Sequence, residues 1–146
     1  MDDNLALGRR LEAIEREFPI LVAKIPQVIR VEGLQFIADN FRNQGFEKSP
    51  GNVDKWKKKA KADSKKPVLI GEKRGGALRR SWQGQATTSQ AIFSSNKPYA
   101  GVHNEGLKAG RPPGFTMPVR QMIGPSAELN ARIEAKLDKL MDSLIL

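Results

Sequence analysis

The feature that most constrains the fold is an apolar stripe near the N-terminus, whose members recur at alternating spacings of four and three residues. This spacing is typical of one face of a helix. The stripe consists of Leu7, Leu11, Ile14, Phe18, Leu21, Ile25 and Val28. Pro19 and Pro26 interrupt it, and a proline inside a helix loses a backbone hydrogen bond and clashes with the preceding turn. We therefore predict one helix over residues 4–17, a bend or short turn, and a second helix that starts near Pro26 and ends by Gly45.

The stripe has two possible uses. It can pack into the core of its own subunit, which is the commoner use, or it can pack against a neighbouring subunit. The sequence alone does not separate these two interpretations.

A third helix closes the chain. It follows Gly124-Pro125-Ser126, where Ser126 is the expected N-cap and Glu128 lies at the positive end of the helix dipole. Its apolar positions again follow helical spacing and are Leu129, Ile133, Leu137, Leu140 and Leu144.

The middle of the chain indicates short elements. Residues 81–88 and 90–94 are rich in strand-forming side chains and predict an antiparallel hairpin, with Trp82 and Phe93 as its core anchors. One helical turn is expected at residues 77–80. We expect an edge strand at 115–119 after a loop rich in glycine and proline.

A long connection is expected between residues 46 and 67. It contains the turn Ser49-Pro50-Gly51-Asn52, followed by a helical stretch at about 54–62.

A short helix with clear ends is expected around His103. Asn96 is its expected cap, Pro98 lies near its first position, and Gly106 can adopt the left-handed conformation that ends it. Tyr99 and His103 then lie one turn apart on the same face. The fold class is therefore α+β: one domain over residues 1–146, with N-terminal helices and a C-terminal helix packed on a small antiparallel sheet.

Positive charge is concentrated in the centre of the chain. Residues 47–124 contain 16 Lys and Arg but only five Asp and Glu, whereas both ends are close to neutral. The densest part is a lysine run that comprises Lys55, Lys57, Lys58, Lys59, Lys61, Lys65 and Lys66. Such a run can contact DNA without sequence preference, bind an acidic protein, or form a solvated loop. Trp56 interrupts it, and a lone Trp is more typical of a hydrophobic anchor than of a base-stacking platform.

Several function classes are disfavoured by composition. The chain has no Cys, which excludes disulfides and cysteine-ligated metals, and His103 is its single histidine. It has no G-x-S-x-G element and no spacing typical of metal ligands. We therefore expect no catalysis and no cofactor, and we interpret Tyr99 with His103 as a pair that stabilises the fold. The acidic N-terminus and the lack of a long apolar run predict a protein that is neither exported nor inserted in a membrane.

The chain resembles the bacteriophage virion morphogenesis family, whose members are regarded as tail completion or head-tail joining proteins. The resemblance is carried by Gly76-Ala77-Leu78-Arg79-Arg80-Ser81, Tyr99-Ala100 with His103 and Gly106, and the segment from Pro118 to Gly124. It spans most of the chain, although Asn104 stands where the family usually has Gln. The residues that match the family pattern are Leu78, Arg79, Ser81, Tyr99, Ala100, His103, Gly106, Arg120 and Gly124.

The resemblance implies a non-catalytic structural protein that forms a homo-oligomeric ring at the neck or tail end of the particle and contacts connector and tail proteins. It would be present in the host cytoplasm during assembly and then in the virion. Two other hypotheses remain open at this point. One is a basic nucleic-acid-binding module, and the other is an enzyme built around His103.

Overall fold

The computed structural model describes residues 3–59, 67–69 and 77–145 of the 146-residue chain. In these ranges the protein is α+β, which confirms the expected fold class. Its elements are α1 Asp3–Asn43, β1 Gly45–Ser49, β2 Asn52–Lys55, α2 Ala77–Ser81, β3 Trp82–Ala86, β4 Ala91–Ser95, α3 Tyr99–Glu105, β5 Lys108–Ala109, β6 Phe115–Thr116 and α4 Ala127–Ile145.

The N-terminal region is one continuous helix, so the predicted division into two helices is wrong. Helix α1 runs for 41 residues through both Pro19 and Pro26, a length of about 60 Å at the usual rise. Each proline removes only one backbone donor, at a cost of roughly 3 kcal/mol. The second half of α1 compensates by packing into the core, where Phe36 and Ile37 are almost fully buried.

Helix α4 packs antiparallel along the second half of α1. Arg132 forms an ion pair of 2.7 Å with Asp39, and Lys136, one turn later on α4, lies 4.0 Å from Glu32, two turns earlier on α1. The start of α4 is fixed as predicted, because Ser126 Oγ accepts a hydrogen bond from the backbone N–H of Leu129 at 3.2 Å. The same hydroxyl donates to the carbonyl of Glu47 at 2.6 Å, which joins α4 to β1.

Three antiparallel hairpins replace the single small sheet of the prediction in the described part of the chain. The pairing of β3 with β4, from Trp82 opposite Ser95 to Ala86 opposite Ala91, confirms the predicted hairpin. It packs on α1 at Gly33, where the ring of Phe93 occupies the space that a Cβ atom would need. Trp82 and Phe93 are partly buried against the core.

The helix expected at about 54–62 is not formed in its described part. Residues 52–55 form β2, which pairs with β1 across the predicted turn, and residues 56–59 have no regular structure. Residues 60–62 lie outside the described residues. Gly51 provides the left-handed turn conformation with φ of 72°. The backbone N–H of Trp56 continues the pairing by donating to Gln44 at 2.8 Å, so tertiary pairing outweighs the helix propensity of the lysines.

The loop before α4 also contains a short hairpin. The edge strand expected at 115–119 is limited to Phe115–Thr116, and it pairs with Lys108–Ala109. Residues 117–120 have no regular structure. The predicted helical turn at 77–80 is confirmed as α2.

The core lies between the second half of α1 and the short elements of the centre. One cluster joins Phe36 of α1, Phe46 of β1 and Leu129 of α4. The other combines residues from α1, α2, α3 and the loops, namely Ile37, Phe41, Trp56, Val68, Leu78, Ala100 and Met122. Trp56 meets Phe41 edge to face at 5.2 Å, which confirms its interpretation as a hydrophobic anchor.

Candidate functional site

Helix α3 brings Tyr99 and His103 together as predicted. Their ring centroids are 6.3 Å apart and the rings meet edge to face at 84°. Tyr99 is 42% exposed and His103 is partly buried, so the pair lies at the edge of the core. Ala100, on another side of α3, is the residue through which the helix enters the core.

The C-terminal end of α3 is as predicted, but its N-terminal end is not. The N-cap position is occupied by Pro98, which makes no side-chain capping bond, so the assignment of Asn96 as the cap is wrong. At this end of the seven-residue helix the N–H of Ala100 donates to the backbone carbonyl of Lys97 at 3.0 Å. Gly106 ends the helix as predicted, with φ of 70°, and its N–H donates to Val102 at 3.0 Å.

Helix α2 is fixed to the β3–β4 hairpin through Ser81. Its hydroxyl lies 2.6 Å from the carbonyl of Leu78 and 2.6 Å from the hydroxyl of Ser95. Leu78 is buried in the core beside Ala100. Arg79 is exposed and Ser81 is buried. The matching element at residues 78–81 thus contains two residues that stabilise the fold and one that faces solvent.

The segment of residues 117–124 crosses the core without regular structure, and Arg120 attaches it on two sides. Its backbone N–H donates to the carbonyl of His103 at 2.8 Å, and its Nε donates to the carbonyl of Lys57 at 2.8 Å. Trp56 adds a third attachment by donating from Nε1 to the carbonyl of Gln121 at 2.9 Å. Arg120 is buried, and the burial lowers its pKa below the usual value.

Two asparagines complete this attachment, and the sequence interpretation did not assign a role to either. Asn104 Oδ1 accepts hydrogen bonds from the backbone N–H groups of Met122 at 2.7 Å and Ile123 at 3.1 Å. Asn40, fully buried on α1, donates to the carbonyl of Met122 at 3.0 Å and accepts from the N–H of Glu47 at 3.1 Å. The position of Asn104 directly after His103, where the family usually has Gln, was the available signal for one of them.

Gly124 lies at the end of this segment with φ of 156°. A Cβ atom there would occupy the same space as the side-chain amide of Gln121. The structure thus brings together most of the family-matching residues. Tyr99, His103, Arg120 and Leu78 line one cavity, Ala100 shares the core cluster of Leu78, and Ser81 bonds to the Leu78 carbonyl. Arg79 remains apart from them at the surface.

A cavity of about 300 Å³ opens beside α3. Among the described residues it is lined by Tyr99, His103, Arg120 and Lys59, together with the apolar side chains of Val68, Leu69, Ala77 and Leu78. His103 Nδ1 is buried and has no hydrogen-bond partner in the described part of the protein. Burial lowers the pKa of His103 and the charge of Arg120 lowers it further, so the imidazole is neutral at pH 7.

The described residues that line the cavity do not form a catalytic or metal-binding set. The cavity joins one neutral imidazole, one phenol and two cations, and it includes no carboxylate or nucleophilic hydroxyl from the described residues. No group of three or more His, Cys, Asp or Glu side chains that could hold a metal ion occurs among residues 3–59, 67–69 and 77–145. Within the same ranges, no helix is both long and apolar enough to cross a bilayer.

The lysine run divides into three parts. Lys55 donates from Nζ to the carbonyl of Asn43 at 2.7 Å and so satisfies the C-terminal end of α1. Lys57, Lys58 and Lys59 are exposed beside the buried Trp56. Lys61, Lys65 and Lys66 lie outside the described residues.

A comparison with known protein families identifies the family of this protein. The family model described as the phage virion morphogenesis family matches residues 6–142. The chain belongs to the phage virion morphogenesis family. The match includes nearly all of α1, the attached segment 117–124 and nearly all of α4, so membership applies to the whole fold. No curated protein and no solved structure gives a significant match. As a member of this family, the protein has a role in the assembly of phage particles.

Proposed function

We propose that the protein is a non-catalytic structural component that acts at the head-tail joint or tail end of a phage or prophage particle as a homo-oligomeric ring. The observation that carries this proposal is the family match over residues 6–142. It is supported by the use of the matching residues, since Leu78, Ser81 and Ala100 pack inside the subunit and His103 and Arg120 attach one loop segment. Connector and tail proteins are the proposed partners.

A gene-deletion experiment tests the role in the particle. Host cells that carry the phage without this gene should accumulate filled heads and separate tails, and expression of the intact chain from a plasmid should restore infectious particles. Particles that assemble and infect normally without the gene would contradict the proposal. Electron microscopy of the lysate shows whether the defect lies at the head side or the tail side.

A separate measurement tests whether the chain forms a ring. The purified chain, whose subunit mass is 16.2 kDa, should give a single closed multiple of that mass in light scattering, either alone or when mixed with its neck partners. Identical subunits that close by rotation about one axis produce such a ring. A chain that stays monomeric under both conditions would exclude the ring.

Contact with DNA is a second candidate activity, favoured by the exposed Lys57, Lys58 and Lys59 within the strongly basic centre. Binding of duplex DNA should weaken steeply as salt rises, as expected for the release of counterions from phosphates. The triple variant Lys57→Gln, Lys58→Gln, Lys59→Gln should lower the salt dependence. A matched control with the same charge loss is Lys24→Gln, Lys108→Gln, Lys139→Gln, three exposed lysines on other elements. Equal affinities for the two variants would count against a contact through the run.

A further inference from the structure

The apolar stripe of α1 is used inside the subunit over only half of its length. Leu21 is 6% exposed, and Ile25 and Val28 are partly buried. Of its four earlier members, Leu7 is 54% exposed, Leu11 52% and Phe18 49%, and Ile14 is partly buried. None of the residues from 3 to 20 is buried. The first half of the stripe therefore forms an apolar strip at the surface.

Helix α4 meets α1 as far along as Glu17. Leu140 and Ser143, near the C-terminal end of α4, line a shallow pocket with Glu17 and Leu21 of α1. Because the two helices are antiparallel, residues 3–16 extend past this point by about 20 Å. Single exposed apolar side chains are common on soluble proteins, but a continuous strip of this kind indicates a contact surface.

The spacing of the strip is that of a coiled coil. With Leu7 and Ile14 at d positions, Leu11 and Phe18 fall at a positions, which is a repeat of 3.5 residues. Two helices that carry this repeat can keep their apolar seams in contact by supercoiling to the left. In the second half of α1 the partner for the stripe is α4 of the same chain. The first half has no such partner within the described part of the chain.

We propose that residues 3–18 of α1 form a parallel, in-register coiled coil with the same segment of at least one other copy of this chain. The contact rests on the homo-oligomer proposed above and locates one of its interfaces. Rotation about a single axis, as in a ring, relates helices that run in the same direction along that axis.

The polar residues of the segment favour this pairing of identical copies. Asn4 falls at an a position, where an asparagine pairs with its own counterpart when helices are parallel and in register. Arg10 falls at g and Glu15 at the following e position. In a parallel pair these positions meet across the interface, so each copy places its Arg10 against Glu15 of the other. The segment is thus complementary in charge to itself.

Substitution of Leu11, one of the apolar a-position residues of the seam, tests the contact. Leu11→Glu should weaken self-association at least a hundredfold, about tenfold or more for each buried leucine lost from a pair of copies. Leu5→Glu is the matched control, because Leu5 is 59% exposed on the same helix but lies off the seam. Sedimentation equilibrium at several concentrations measures both. An oligomer that loses stability equally with both variants, or with neither, overturns the proposal.

Cross-linking tests the direction and register. The chain has no native cysteine, so Leu7→Cys introduces a single thiol. In the proposed pairing the two residues 7 face each other, and mild oxidation should give a covalent dimer of the full chain. An antiparallel pairing that aligns the a and d positions of this segment places residue 7 of one copy opposite residue 18 of the other. The two cysteines at position 7 are then too far apart to form a disulfide. Absence of the covalent dimer while the oligomer persists therefore overturns the parallel arrangement.

Charge reversal provides an independent measurement. Arg10→Glu should weaken association, and the double variant Arg10→Glu, Glu15→Arg should restore it, because the interhelical pair is rebuilt with the charges exchanged. Restoration by Arg10→Glu, Glu17→Arg instead would indicate an antiparallel contact and overturn the proposal.

The outcomes also separate this contact from the ring itself. If the wild-type chain forms a ring that Leu11→Glu leaves intact, the ring proposal stands and the coiled coil is wrong. If the wild-type chain is monomeric alone and with its neck partners, both are wrong. If the chain is monomeric alone but α1 binds a neck protein through Leu11, the strip serves a different protein and the self-contact is wrong.

Discussion

At the residue scale, a few polar side chains supply the hydrogen-bond partners of the backbone groups in one buried loop. Residues 121–123 cross the core without a strand partner, yet Met122 is fully buried. Their backbone groups need partners, because an unpaired buried N–H or carbonyl costs about 1–3 kcal/mol. Asn104, Asn40 and Trp56 supply them. These polar contacts attach the loop that joins α3 to α4.

Removal of the Asn104 amide tests this role. Asn104→Ala leaves the N–H groups of Met122 and Ile123 without their acceptor and should lower the free energy of unfolding by about 2 kcal/mol or more. Asn104→Asp keeps an acceptor oxygen in the same place and should lose less. Urea unfolding of the two variants measures the difference. Equal losses would show that the acceptor is not what stabilises the loop.

His103 makes the stability depend on pH. Its folded pKa lies below the usual 6.5, first because of burial and then because of Arg120. The unfolded state therefore binds the proton more readily, and the contribution of neutral His103 to stability is complete above about pH 6.5 and is lost as pH falls through the folded pKa. Among the described residues that line the cavity, Lys59 and Tyr99 are the other ionisable groups.

The variant His103→Gln isolates this effect, since the chain has no second histidine. The free energy of unfolding of the wild-type protein should fall more steeply between pH 7.5 and 5.5 than that of the variant. Parallel pH profiles for the two proteins would contradict the lowered pKa.

At the scale of elements, the β3–β4 hairpin packs on α1 at a glycine, which has no side chain to hold the two elements apart. Phe93 of β4 rests against Gly33, and Gly84 of β3 lies against Arg30 and Leu34 in the same way. The two glycines let strand and helix backbones approach closely. Helix α1 therefore serves as the support on which the hairpin is placed.

Two glycine substitutions on α1 should have opposite effects. Gly33→Ala forces the Phe93 ring to move and should destabilise the protein by about 1–3 kcal/mol. Gly8→Ala meets no atom within 4 Å and should stabilise by up to about 1 kcal/mol through helix propensity alone. Thermal unfolding measures both. Stabilisation by Gly33→Ala would mean that the hairpin does not depend on this close approach.

At the scale of the whole molecule, the chain consists of a packed body and a helical extension. The body joins the second half of α1, α4 and the central elements into two core clusters. At the junction of α1, β1 and α4, Arg132 contacts Asp39, Glu128 and Glu47 and lies over the ring of Phe36. Burial alone would lower the pKa of Arg132, but hydrogen bonds to Glu128 and Asp39 raise it overall, so it stays charged.

Truncation should separate the two parts. A chain that starts at residue 17 should retain the unfolding free energy of the isolated subunit to within about 1 kcal/mol, because no residue from 3 to 16 is buried. Measurements at concentrations where the intact protein is monomeric make the comparison. A much larger loss would show that the extension contributes to the core of its own subunit.

The sequence by itself determined the local features. These features are the helical spacing, the hairpin at residues 82–95, the N-cap at Ser126 and the left-handed Gly106. The sequence predicts each of them because each depends on neighbours within a few positions. Only the tertiary structure decided that α1 continues through Pro19 and Pro26, since burial of distant side chains offsets the lost hydrogen bonds. It alone divided one uniform stripe into a buried half and an exposed half, because burial depends on which part of α1 packs against α4. The roles of Asn40 and Asn104 arose in the same way, from backbone groups up to 82 residues away.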